Sequence, residues 1–239
     1  MDLQQCLTQA RLGRRELLTK LAGFGAAGAI GLPAALAQSE TVSIVATPSA
    51  TQGPYWVDEQ LNRSDIRVDP VNSTVQQGFP LVLGITVSRL SGGVIVPVGG
   101  AFVDIWHCNA AGVYSDVSAN ATVGQKWLRG YQVTDAHGAV RFVTIYPGWY
   151  SGRAVHIHYR IRTASLNNPV FNYTSQFFFT ETVTTNVFTS APYSTRGAPD
   201  TRNTTDGIYN QSGGAVLLLR MAKDSSYCLS SFHVMLNGI

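Results

Sequence analysis

From Phe79 onward the chain is cut into short apolar runs rich in β-branched and aromatic residues, with no helical periodicity of useful length. The runs fall at 81–87, 101–106, 139–145, 155–161, 175–179, 215–219 and around 232–234. Along 101–106 the faces alternate, Phe102 opposed to Val103 and Asp104 to Ile105, which is the period of a strand with one face buried. Turn sequences such as Ser91-Gly92-Gly93, Gly99-Gly100 and Asp135-Ala136-His137-Gly138 separate the runs. Short strands at this spacing, joined by glycine-rich turns, predict an all-β domain, either an antiparallel sandwich or a barrel, with the chemistry carried on long loops. Residues 38–78 are polar and contain Pro48, Pro54 and Pro70, and they read as an extended arm. The expected organisation is a leader over 1–37, the arm over 38–78 and a single β domain over 79–239.

The leader is read from Arg14-Arg15-Glu16-Leu17-Leu18, a twin-arginine pair followed by apolar residues. An uncharged stretch from Leu21 to Ala37 follows, 17 residues long. That is shorter than the roughly 20 residues that span a bilayer, and it closes on the small-x-small pattern Ala35-Leu36-Ala37. Cleavage there predicts export to the periplasm or beyond, with no stable membrane insertion afterwards. An uncleaved amino-terminal anchor is the alternative. Arg11, Arg14, Arg15 and Lys20 lie in the leader against Asp2 and Glu16, so the formal charge of +3 drops to about +1 without it. No basic run is left to recruit nucleic acid. Cys6 belongs to the leader, which leaves Cys108 and Cys228 as one potential disulfide or two buried thiols. The six Asn-x-Ser/Thr sequons, beginning at Asn62, Asn72, Asn120, Asn172, Asn203 and Asn210, carry no meaning behind a bacterial-type leader.

The chemistry concentrates in Tyr146-Pro147-Gly148-Trp149-Tyr150-Ser151-Gly152-Arg153-Ala154-Val155-His156-Ile157-His158. On a strand, His156 and His158 point to one face, where two imidazoles can share a metal. A loop brings Tyr150 near them, with Arg153 in between. This segment resembles the iron-binding signature of the intradiol ring-cleavage dioxygenases, the family of protocatechuate, catechol and hydroxyquinol dioxygenases. Three further stretches resemble the family in order. They are Thr47-Pro48-Ser49-Ala50-Thr51-Gln52-Gly53-Pro54-Tyr55-Trp56, Val103-Asp104-Ile105-Trp106 running on to Gly112-Val113-Tyr114, and Leu128-Arg129-Gly130-Tyr131-Gln132-Val133-Thr134-Asp135. Together they cover about half the chain.

The resemblance implies a sandwich of the intradiol dioxygenase type and a non-haem Fe(III) held by Tyr114, Tyr150, His156 and His158. Phenolate oxygen is a hard anionic donor that favours Fe(III), which agrees with that ligand set. It further implies that Tyr150 is the displaceable ligand and an internal base, and that Arg153 stabilises negative charge on the activated ring with Gln176 as its partner. Tyr55 falls where the matching arm residue of relatives lines the substrate pocket, or else packs the arm on the sheet, and Trp149, beside Tyr150, is read as pocket wall or loop filler. The implied reaction inserts both atoms of O2 into a catechol-type ring and yields a cis,cis-muconate-type diacid. The implied partners are a small aromatic diol and O2, and the protein is expected as a monomer or homo-oligomer. The arm is too short for a helical dimerisation domain. Two other readings are open. A cupin-like divalent-metal site would need an acidic ligand soon after the histidines, where Tyr159-Arg160-Ile161-Arg162-Thr163 stands instead. A secreted, non-catalytic β-sandwich module would bind phenolics or polysaccharide.

Overall fold

The computed structural model describes residues 45–221 and 229–239. The twin-arginine leader and Cys228 lie outside them. Among the described residues no helix is long and apolar enough to cross a membrane.

Among the described residues nine strands form two sheets: β1 (Pro80–Ser91), β2 (Val94–Pro97), β3 (Phe102–Trp106), β4 (Arg129–Val133), β5 (Ala139–Ile145), β6 (His156–Arg162), β7 (Asn172–Phe178), β8 (Arg220–Met221) and β9 (Leu229–Leu236). One sheet runs β2-β1-β9-β8, with β5 also paired to β1; the other runs β4-β3-β6-β7. The pairs are antiparallel except for β1 and β9, which run parallel from Val82↔Leu229 to Arg89↔Leu236. The expected purely antiparallel arrangement is corrected on this point. A parallel pair needs a long crossover, and here most of the chain supplies it.

Alternation explains the core. Leu81, Leu83, Ile85 and Val87 of β1, Val103 and Ile105 of β3, Ile157, Tyr159 and Ile161 of β6, and Val234 and Leu236 of β9 belong to one buried cluster. That cluster takes residues from both sheets. On β6 the intervening residues His156, His158, Arg160 and Arg162 therefore lie on the opposite face. Register then sets the site: Trp106 of β3 and Gln176 of β7 lie directly across from His158 on either side.

The arm has little regular structure but is well tied. The Ala50 amide donates to the Thr174 carbonyl. The Tyr173 and Ser175 hydroxyls donate to the Pro48 carbonyl, and Thr47 exchanges hydrogen bonds with Met235 of β9.

Two sequence expectations need revision. The 215–219 run is not a strand; it contains a 3₁₀ turn, Gly214–Leu217, that leads into the two-residue β8. A continuous apolar run lacks the alternation that would identify a strand. Gly213 precedes it at φ +64, and Gly214 packs where a Cβ would lie 2.2 Å from the Tyr209 ring. Two short helices were also unexpected, α1 (Glu181–Val187) and α2 (Gly207–Gln211). Thr180 caps the first by accepting from the Val183 amide, and Asp206 caps the second through the Ile208 and Tyr209 amides.

On the polar face of β6, Arg162 is buried and forks onto both oxygens of Asp104 at 2.9 Å and onto Asp58 at 2.8 Å. Arg162→Ala would strand the Asp104 carboxylate in the interior. It is expected to cost about 3–5 kcal/mol, read from the urea unfolding midpoint of the metal-free protein.

Candidate metal centre

β6 and the two loops that feed it bring four rings together. His156 and His158 face each other with Nε2 atoms 3.0 Å apart and rings 82° to one another. The His156 Nδ1–H donates to the Ala154 carbonyl at 2.6 Å, and because a carbonyl can only accept, Nε2 is left as the bare nitrogen. Tyr150, midway along the loop before β6, places its hydroxyl 3.2 Å from that same Nε2. Tyr114, in the loop after β3, is buried, its ring 5.7 Å from that of Tyr150 and 6.3 Å from that of His158. The Tyr114 hydroxyl makes no hydrogen bond of normal geometry, although Tyr150 is close enough to raise its pKa. The His158 Nδ1 is likewise without a partner.

The surroundings hold these rings in place. Trp106 stacks on His158 at 4.8 Å and 7°. From the arm, Gly53 passes where a Cβ would lie 3.3 Å from His158 Cε1, and Tyr55 stacks on Tyr114 at 4.5 Å. Tyr55 and Tyr150 pack with the Trp106–Cys108–Tyr114 cluster. Trp149 instead packs against the main core. Its indole N–H donates to the Gly197 carbonyl, and the Arg196 guanidinium lies 4.4 Å above its ring. Of the cysteines considered for a bridge, Cys108 carries a free, buried thiol that points to the Gly148 carbonyl. Burial pushes that thiol up to about 12.

Burial also dictates the charge state of the four rings. It raises Tyr114 well above the ordinary phenol value, with Tyr150 adding to the rise. It pushes Tyr150 up to about 12 against the opposing charge of Arg153. Burial first and Arg153 second take His156 down to about 3; burial, His156 and Arg153 hold His158 well below its usual value. Without a cation the site is therefore two neutral imidazoles and two protonated phenols. A multivalent cation between them would reverse the phenol preference, since its own charge would dominate locally. Among the described residues no three His, Cys, Asp or Glu side chains are placed to hold a metal. A cation here would thus depend on phenol oxygen, and the orphaned Tyr114 hydroxyl is a donor such an ion could use. This donor set fits a hard ferric ion and lacks the carboxylate of a cupin-like site.

Arg153 and Gln176 also meet: the Arg153 Nη2–H donates to Gln176 Oε1 at 2.6 Å. Two further residues that sequence reasoning did not single out support the site. Arg129, buried behind Tyr114, donates to the Ser115 carbonyl at 2.6 Å and to the Tyr55 carbonyl at 2.7 Å, which joins the Tyr114 loop to the arm. Asp206 takes the Arg153 Nε–H at 2.9 Å. The position of Arg129 in a family-like stretch hinted at importance; nothing local marked Asp206 beyond an Asp ahead of a short helix. His107 is a core residue, its ring spanning the Cys108 carbonyl and the Thr144 hydroxyl.

Residues 51–191 match a family model described as Dioxygenase, more than half of the 239-residue chain. The solved intradiol ring-cleavage dioxygenase from Tetranychus urticae superposes with a TM-score of 0.68 at 28% identity, covering 81% of this chain and 95% of that one. The chain belongs to the intradiol ring-cleavage dioxygenase family. Among curated members of that family, it is similar to catechol 1,2-dioxygenase 1 of Acinetobacter lwoffii, 33% identical over 104 residues, 44% of this chain and 32% of that protein. It is also similar to a chlorocatechol 1,2-dioxygenase of Pseudomonas putida, 27% identical over 154 residues, 54% of this chain and 52% of that protein. This dioxygenase-family chain thus spans about a third to a half of the curated relatives it matches.

Proposed function

We propose that this protein is a non-haem Fe(III) dioxygenase that opens a catechol-type ring between its two hydroxyl-bearing carbons, using O2 and forming a cis,cis-muconate-type diacid. The observation that carries this reading is the His156 Nε2, 3.2 Å from the Tyr150 hydroxyl and 3.0 Å from His158 Nε2, beside a buried Tyr114 hydroxyl without a hydrogen-bond partner. Tyr114, Tyr150, His156 and His158 are the ligands in this reading, and the two sheets close as the sandwich typical of the family. When bound, Fe(III) would supply a Lewis-acidic, electron-withdrawing centre that makes a bound catecholate reactive toward O2.

The protein's own residues divide the remaining work. Tyr114, more deeply buried than Tyr150, is the permanent anchor. Tyr150 is half-buried, and its Oη is the atom to take a proton from one substrate hydroxyl. Arg153 acts on both the anchor and the base: its charge opposes burial at the two phenols, and it would also stabilise the negative charge that gathers on the ring. Tyr55 supplies an aromatic wall beside Tyr114. The leader read in the sequence would carry the protein out of the cytoplasm, toward diols met outside the cell.

The test is one spectrum and one product analysis. Ferric protein should show a visible tyrosinate-to-iron band that shifts when catechol is added, with one O2 consumed per ring and a muconate-type product. An aldehyde product from cleavage beside the diol would overturn the reading. Tyr114→Phe is expected to bleach or shift most of that band and to weaken iron retention on dialysis, while the circular dichroism of the sheets stays unchanged.

A further inference from the structure

Arg153 sits in the irregular loop ahead of β6, one residue after Gly152 at φ +83. A long cationic side chain there has many rotamers to choose from, so something must select one. Two of its three guanidinium nitrogens are held: Nη2 by Gln176 Oε1 at 2.6 Å and Nε by Asp206 Oδ2 at 2.9 Å. Both acceptors are themselves fixed. The Gln176 amide N–H donates to the Thr51 carbonyl at 2.8 Å, which settles which end of the amide faces the arginine. Asp206 is fully buried and accepts from four donors: Arg153 Nε and the Ala154 amide on one oxygen, and the Ile208 and Tyr209 amides on the other. The third guanidinium nitrogen, Nη1, has no protein acceptor among the described residues. The arginine charge bears on all four rings of the site, as the shifts of Tyr114, Tyr150, His156 and His158 each register it.

We propose that Asp206 is the positioning residue that locks the Arg153 guanidinium, leaving Nη1 and the charge presented to the anionic substrate. This rests on the ring-cleavage reading above. Asp206 does not touch the reacting atoms; it acts through Arg153. The segment carrying Asp206 lies 53 residues beyond Arg153 in sequence, so the lock also ties the start of α2 to the loop that delivers Tyr150. A purely structural role is the competing account, since Asp206 also caps α2 and holds the amide of Ala154, the residue whose carbonyl orients His156.

A double-mutant cycle on the ferric protein separates the two. Asp206→Asn keeps the shape and one acceptor oxygen but removes the charge. The expected result is a fall of roughly 10²-fold in kcat for catechol with KM moved less than about threefold, and an unshifted visible band. In an Arg153→Ala background the same substitution should change kcat by less than about threefold, because the residue it acts through is gone. Equal losses in both backgrounds, or full activity in folded Asp206→Asn, would overturn the proposal. A second measurement needs neither variant to fold nor metal to bind. In the metal-free wild-type protein, the Arg153 Nε–H should exchange with solvent far more slowly than that of an exposed arginine. Exchange at the exposed rate would also overturn it. If wild-type ferric protein cleaves no ring while the Nε–H is protected, the ring-cleavage reading fails and the lock itself stands.

Discussion

Replacing His156 with alanine is expected to remove the metal and the activity together. His156 carries the Nε2 on which two of the rings converge, 3.2 Å to the Tyr150 hydroxyl and 3.0 Å to His158 Nε2. Its ring is set by one strong bond to the Ala154 carbonyl and by burial, so no rotamer of a neighbour can replace it. Losing an outer partner of a metal ligand typically costs about 10–100-fold. Losing the ligand itself should exceed that, with iron content per chain near zero after dialysis and ring cleavage below detection. The fold should survive, because the His156 face of β6 lies opposite the main core that Ile157, Tyr159 and Ile161 build. Unchanged iron content and activity in folded His156→Ala would refute the ligand assignment.

The second large effect is expected from a position with no chemistry at all. Gly112 lies two residues before Tyr114 at φ +79, and a Cβ there would lie 1.9 Å from the Trp149 carbonyl oxygen, one residue before Tyr150. Gly148 presses from the other side, where a Cβ would meet the Asn109 and Ala110 carbonyls at 2.4 and 2.5 Å. The two tyrosine-bearing loops therefore touch backbone to backbone, and only glycine permits it. The obstructing atoms belong to the main chain, so relief must move a whole loop. Gly112→Ala is expected to destabilise the metal-free protein by more than about 3 kcal/mol, by the overpacking and special-φ mechanisms. It should also separate Tyr114 from Tyr150 and so dull the ferric colour of any folded fraction. The control is Gly93→Ala, at φ +81 with nothing within 4 Å of a Cβ, where only the left-handed strain of about 1–2 kcal/mol applies. Paired urea melts of the two variants decide it; equal midpoints would mean that the loop contact is not the constraint.

Much of this arrangement was legible from alternation alone. Period 2 put His156 and His158 on one face and Ile157 and Tyr159 on the other, because strand geometry leaves no choice once the strand is granted. The runs at 81–87, 101–106 and 139–145 lie within or overlap β1, β3 and β5 for the same reason. What escaped was non-local. Pairing of β1 with β9 joins residues about 150 positions apart and runs parallel, and no local pattern encodes a partner at that distance. The apolar 215–219 run has no alternation to read, so its 3₁₀ turn followed from the tight packing of Gly214 on Tyr209 rather than from propensity. Asp206 was invisible as an Arg153 partner because an Asp ahead of a short helix reads only as a cap, and a cap is half of what it does. The bond from the Trp149 indole to Gly197 is another contact that chain adjacency could not foretell.

The arm that covers the rings has a further consequence. Thr47 is bonded to Met235, Ala50 to Thr174 and Thr51 to Gln176 before the chain reaches Gly53 over His158 and Tyr55 over Tyr114. The arm segment over the rings is thus tied to β7 and to β9, the last strand along the described chain. In the ferric reading, retention of the ion would therefore depend on strands that carry none of its proposed ligands. Weakening β9 at Met235 is then expected to loosen the arm over His158 and Tyr114, and in the ferric reading to speed loss of the ion before either sheet unfolds.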